Sequence, residues 1–156
     1  MVIVQLRAAK IPWIGYLAVH YWYGIIRPDR GDRWEVWQTP GLSVESWGYL
    51  QKNLMSVTAG VGNGDSWLAA VWEGDHALKL AQIIETSPQY YPYCYRYRYF
   101  PGPNSNTYGQ WVLNQAGLDY SLGIKAIGRH YPISQKPIRE SVKRERLFCI
   151  KMKINL

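Results

Sequence analysis

Metal centres and disulfide scaffolds have little to build from in this sequence. It holds two cysteines, Cys94 and Cys149, and three histidines, His20, His76 and His130, scattered through 156 residues. With no CxxC pair, neither a structural zinc site, nor another metal, nor a disulfide framework is expected, and nothing calls for a cofactor. Long apolar runs are missing too: none reaches the ~18 residues that a membrane-spanning helix requires. The opening stretch, MVIVQLRAAKIPWIGYLAV, sets a basic residue before apolar ones as a secretory signal does. Pro12 and Gly15 interrupt it, however, and no small-residue cleavage site precedes His20. These absences lead to the expectation of a cytoplasmic protein.

Acidic residues are scarce in one region only. Residues 1–124 carry nine Lys or Arg and nine Asp or Glu, whereas residues 125–156 carry nine basic residues against Glu140 and Glu145, which accounts for the whole +7 excess. A basic tail on a neutral body suits an anionic partner, RNA or a membrane surface, contacted through residues 125–156; a solvated terminus has the same composition. What the chain has in plenty is aromatic area. Eight Trp and thirteen Tyr exceed what one core of this size needs, so they are available to line a cleft as well.

The length suits one domain, taken as residues 1–131 followed by a basic extension, 132–156, in which RLFCIKMKINL at 146–156 reads as a further strand. Residues 16–27 read as a strand, RPDRGD at 27–32 as a turn and 33–38 as the returning strand. Alternation puts Ala18, His20, Trp22 and Gly24 on one face. If Ile26 pairs with Arg33, Gly24 lies opposite Glu35 and Glu35 shares the face of His20, an arrangement that a one-residue slip would reverse. The Gly-rich run Gly60-Val-Gly-Asn-Gly-Asp lacks both phosphate-loop spacings and is read as a turn before a strand, SWLAAVW. Within 75–87, Ala77, Leu80, Ile83 and Ile84 form a helical stripe, with Asp75 as its cap and Pro88 after its end. YYPYCYRYRYF alternates Tyr with Cys94, Arg96, Arg98 and Phe100, which predicts a packed strand with one Tyr face. A second helix is expected from about Asn106 to Gln115, closed by Gly117. The sum is an α+β fold in which an antiparallel sheet packs with two main helices.

Pro101-Gly102-Pro103 stiffens the chain ahead of that second helix and leaves Asn104 and Ser105 at its N-terminus. A polar side chain there is a helix cap in its simplest reading. The blocks AVHYW at 18–22, YPY at 91–93, FPGPNSNTY at 100–108 and KAIGRHY at 125–131 resemble, over residues 16–131, an uncharacterised bacterial family known as domain of unknown function 3750. At His130 the chain departs from the acidic residue usual in that family. More distantly, the chain resembles circularly permuted papain-like proteins of the NlpC and lecithin–retinol acyltransferase kind. These place a His on an early strand and a nucleophile in an Asn-Cys-x-x-aromatic motif opening a helix. Asn104-Ser105-Asn106-Thr107-Tyr108 has that form with Ser in the Cys position, and His20 has the place of the base.

That resemblance implies a site of Ser105, His20 and an orienting group, Glu35 or Gln38, in a cleft lined by Trp22 and its aromatic neighbours. Serine, unlike cysteine, cannot be ionised in advance by a helix N-terminus, so it needs a well-oriented base. Backbone amides around Asn106 are candidates to hold an oxyanion. With no third member fixed, the sequence favours a binding or scaffolding module with a degenerate site, in which Asn104 and Asn106 act as recognition donors or caps. The alternative is a serine-dependent amide hydrolase or acyltransferase, and a second alternative is polyanion binding through the tail. Cys94, central in an expected strand, is no substitute nucleophile.

Overall fold

The structure, a computed structural model, describes residues 1–13, 17–62 and 64–133. Six antiparallel strands, β1 (Ile3–Lys10), β2 (Val19–Ile26), β3 (Gly31–Val36), β4 (Glu45–Trp47), β5 (Leu50–Lys52) and β6 (Ser66–Trp72), form one sheet in the order β4-β5-β3-β2-β1-β6. Two helices, α1 (Gly74–Tyr90) and α2 (Ser105–Ala116), complete the α+β fold. No helix among the described residues is long and apolar enough to cross a membrane.

Period-2 alternation divides the sheet into two unlike faces. One is apolar: Val4, Leu6 and Ala8 of β1, Val19, Tyr21, Tyr23 and Ile25 of β2, and Trp34 and Val36 of β3 pack with both helices into a single core. Tyr23 donates its hydroxyl to the Gly109 carbonyl of α2 at 2.6 Å, which satisfies a buried phenol and fixes the helix on the strand. The opposite face carries His20, Trp22, Gly24, Arg33 and Glu35, and it is buried as well. Its cover is the segment after β5: the Val57 carbonyl accepts from Trp22 Nε1 at 2.9 Å, and Val57 itself sits over Gly24. Every residue from Val19 to Ile25 is therefore buried, so β2 is a central strand enclosed on both sides.

The β2–β3 hairpin turns over Arg27–Arg30, with β3 beginning at Gly31, and Gly24 pairs with Arg33. The expected register put Ile26 opposite Arg33. The observed one differs by two residues, and an even shift keeps side-chain parity, so Glu35 stays on the face of His20. The stretch 40–65 contains the short strands β4 and β5, and its Gly-rich run turns as expected, Gly64 donating to the Val61 carbonyl at 3.0 Å.

Four expectations need correction. Residues 3–10, read only as an abortive leader, form β1, hydrogen-bonded on both edges. Asp75 is not the cap of α1. Glu73 occupies that position without a side-chain cap bond, and Asp75 lies in the first turn, favourably placed for the helix dipole. Helix α1 also runs through Pro88. A proline there leaves the Ile84 carbonyl without its helical donor, and the Ser87 hydroxyl supplies one at 2.6 Å. Finally, 93–100 is not a strand. The Tyr residues pack separately, Tyr97 on Tyr49 and Tyr93 against Tyr91 and Tyr131, while Tyr95 is exposed. The Cys94 carbonyl accepts from Tyr49 N at 2.7 Å, so this segment braces β5 as irregular chain. The strand expected at 146–156 lies outside the described residues.

A Cβ on Gly24 would overlap a methyl of Val57. Gly24→Ala is expected to lower stability by about 1–3 kcal/mol through overpacking, and Val57→Ala in the same chain to restore most of it, as read from urea unfolding.

Candidate functional site

The N-terminus of α2 is capped by Asn104, not by Ser105. Asn104 Oδ1 accepts from the backbone amides of Asn106 at 3.0 Å and Thr107 at 3.3 Å, and Thr107 Oγ1 accepts from Asn104 N at 3.0 Å, a reciprocal capping box. Asn104 Nδ2 donates to the Tyr99 carbonyl at 3.0 Å. Ser105 is thus the first residue of the helix and its hydroxyl has no part in the cap. It is buried, yet it lines a cavity of about 490 Å³ that His20 also lines.

His20 enters that cavity from β2 with one nitrogen already committed. Its Nε2 lies 2.8 Å from Glu35 Oε2, with both side chains buried. Arg33, fully buried two residues before Glu35, places Nη2 2.8 Å from the same oxygen and Nε 2.7 Å from Oε1. Arg33 Nη1 donates to the carbonyls of Ser56 and Ala59, and its guanidinium stacks over Trp22 at 4.0 Å. Burial is the largest influence on the Glu35 carboxyl and would raise its pKa. The hydrogen bond to His20 and the charges of His20 and Arg33 together outweigh it, and Glu35 is held below its ordinary value. An ionised carboxylate only accepts, so the proton of this bond belongs to His20 Nε2 and Nδ1 is left as the free ring nitrogen. Trp22, at a ring distance of 5.7 Å, and Trp37, edge-on at 5.3 Å, hold the imidazole in place.

A third element ties helix to strand. Asn106 Nδ2 donates to the carbonyls of Val19 and Ile127, both at 2.9 Å, and Thr107 Oγ1 donates to the Gly128 carbonyl at 2.7 Å. Val19 N in turn donates to Lys125 O at 3.1 Å. Gly128 has φ +92, and a Cβ there would overlap the Asn104 amide, so only glycine suits the position. The residues 18–22, 100–108 and 125–131 therefore meet at one place, with Tyr93 reaching Tyr131. A family model described as "Protein of unknown function (DUF3750)" matches residues 1–131. The chain belongs to the DUF3750 family. The match reaches further toward the N-terminus than the blocks at 16–131, in keeping with β1 being an inner strand of the sheet. No curated protein and no solved structure matches the chain.

Not every residue singled out in this DUF3750 chain lies where it was expected. Ser105, His20, Asn104 and Asn106 line the cavity, and Glu35 stands behind His20. Trp22 does not line it: its ring is fully buried between His20 and Arg33. The side-chain donors of Asn104 and Asn106 are spent on backbone carbonyls and fasten the chain, while Asn106 Oδ1 is buried without a hydrogen-bond partner. The Asn106 amide is likewise taken by the cap. Gln38 accepts from the Tyr99 hydroxyl and does not orient His20. Burial pushes the Cys94 thiol up to about 11, far from a thiolate at neutral pH. Sequence reasoning missed Arg33, whose signal was its place on the face of Glu35 two residues away, and the clasp made by KAIGRHY, which works through its backbone carbonyls and not through the side chains that the resemblance rests on. No group of three or more His, Cys, Asp or Glu that could hold a metal occurs among the described residues. The basic tail is described only to Ile133, and the rest of it lies outside the described residues.

Because the folded Glu35 pKa is lowered, this carboxylate contributes stability in full above about pH 4.5, the ordinary value. The contribution is lost as pH falls through the lower folded value. Urea unfolding between pH 7 and pH 3 should show that loss in the wild type and a flatter dependence in Glu35→Gln. Asn106→Ala removes two buried hydrogen bonds and should cost about 2–4 kcal/mol, measured the same way.

Proposed function

We propose that this protein is a serine-dependent acyl-transfer enzyme, a hydrolase or acyltransferase, on a circularly permuted papain-like version of the α+β fold. One observation carries the reading: Asn104 and Thr107 form the helix cap, so Ser105 takes no part in it, and Ser105 lines the same cavity as an imidazole held by Glu35. Glu35 on His20 Nε2 has the position of the orienting third group that a serine nucleophile needs. The buried Arg33 beneath it supports the same view.

In this mechanism the Ser105 oxygen attacks the carbonyl carbon of an ester or amide while its proton passes to His20 Nδ1. Glu35 accepts the Nε2 hydrogen bond and stabilises the imidazolium that forms. The oxyanion develops at the start of α2, where the Ser105 backbone amide and the positive end of the helix dipole favour negative charge. The bond to the leaving group then breaks, and that group departs with the proton from His20, leaving an acyl-Ser105 ester. Water, or an alcohol or amine acceptor, attacks the ester and gives its proton to His20. Ser105 recovers its hydrogen as the acyl product leaves.

A fluorophosphonate probe should label the wild type at Ser105, located by peptide mass. Labelling should vanish in Ser105→Ala and slow by about 10²–10⁴-fold in His20→Ala. Absence of labelling in folded wild-type protein, or equal labelling of all three, would remove the catalytic reading and return the site to a binding role.

A further inference from the structure

The cavity at Ser105 has a chemical character of its own. Its wall is made by Trp13, Val36, Trp37, Tyr97, Phe100 and Ile127, besides the polar residues at the start of α2. Among the described residues that line it there is no Lys, Arg, Asp or Glu. Part of the polar complement of that wall is spent: Asn104 and Asn106 donate to backbone carbonyls and Gln38 is joined to Tyr99, while Asn106 Oδ1 is buried without a partner. A charged substrate would be stripped of water there with no opposite charge to replace it, which is costly. An apolar chain gains from the same wall. The volume, about 490 Å³, lies within the ~300–1,000 Å³ of small-molecule sites. At the mouth stand Trp13, fully exposed, and Phe100, 78% exposed, so apolar surface continues outward past the enclosed part.

We infer that this cavity takes the uncharged, apolar acyl chain of an ester or amide, presenting its carbonyl to Ser105. The inference rests on the acyl-transfer reading for the identity of the reacting group, but the chain-binding half of it stands on the wall alone. It separates possible substrates by chemistry: fatty acyl esters and amides are admitted, whereas chains carrying a carboxylate or ammonium along the acyl portion are refused.

The test uses Ser105→Ala, in which turnover is removed and binding remains, titrated with methyl esters of butanoic, hexanoic, octanoic and decanoic acids while Trp fluorescence is followed. Kd is expected to fall by about threefold to fourfold for each methylene buried, and monomethyl adipate, with its terminal carboxylate, should not bind. Ile127→Asp in the Ser105→Ala background should abolish the dependence on chain length. Should that protein fail to fold, Phe100→Asp, at an exposed rim position, should weaken binding of the decanoate ester most and of the butanoate ester least. A Kd independent of chain length, binding of the adipate as tight as that of the hexanoate ester, or a gradient unchanged in both variants would overturn the inference. Fluorophosphonate labelling of the wild type separates the two levels. Labelling without a chain-length gradient removes the acyl-chain pocket and keeps the nucleophile. A gradient without labelling keeps the pocket and removes the nucleophile.

Discussion

A carboxylate locked inside the protein between an arginine and a histidine is the constraint on which the remaining structure depends. Glu35, Arg33 and His20 occupy a sheet face that an ordinary two-layer α+β domain would leave to solvent. Here it is covered by the chain following β5. Burying an ion pair costs desolvation that hydrophobic side chains would avoid, and such a pair is weak evidence of a gain in stability. Its effect here is geometric. Arg33 holds Glu35, Glu35 holds Nε2 of His20, and two Trp rings close on the imidazole. The dyad has one free nitrogen and little freedom to turn it elsewhere.

The second half of the site is held by a different kind of bond. Asn106 and Thr107 fasten the first turn of α2 to the carbonyls of β2 and of the 125–131 segment, and Asn104 completes the cap. Three neighbouring polar residues are thereby consumed by structure, and Ser105 among them is not. Three of the four sequence blocks of the DUF3750 resemblance, 18–22, 100–108 and 125–131, gain a common reason from this, since each supplies a wall or a fastener of one cavity, while Tyr93 of the fourth packs against Tyr131.

Much of this was legible in the sequence, and the residues show why. The helix at 105–116 was readable from Pro103, Asn104 and Gly117, because capping chemistry is local. The face shared by His20 and Glu35 was readable from alternation even though the register was misjudged, since an error of two residues preserves parity. The segment 93–100 was misread because its alternation mimics a strand, while Tyr97 packs on Tyr49 and Tyr93 on Tyr131, on two different parts of the chain. The capping role open to both Asn104 and Ser105 went to Asn104, a choice between adjacent polar residues that composition does not make. Trp22 was placed in the cleft because it shares a face with His20, whereas the chain covering that face leaves only the end near His20 open. Arg33 went unnoticed because its role exists only once Glu35 is known to be dry.

The account stands most directly on the state of one imidazole. Nitrogen NMR of ¹⁵N-histidine-labelled protein, with His20 assigned by mutation, reads which ring nitrogen bears the proton in the neutral form. The structure predicts the proton on Nε2, shared with Glu35; the proposed acyl-transfer role further predicts an Nδ1 resonance that moves when Ser105 becomes alanine. A proton on Nδ1, or an Nδ1 signal indifferent to Ser105, would contradict the pairing of base and nucleophile.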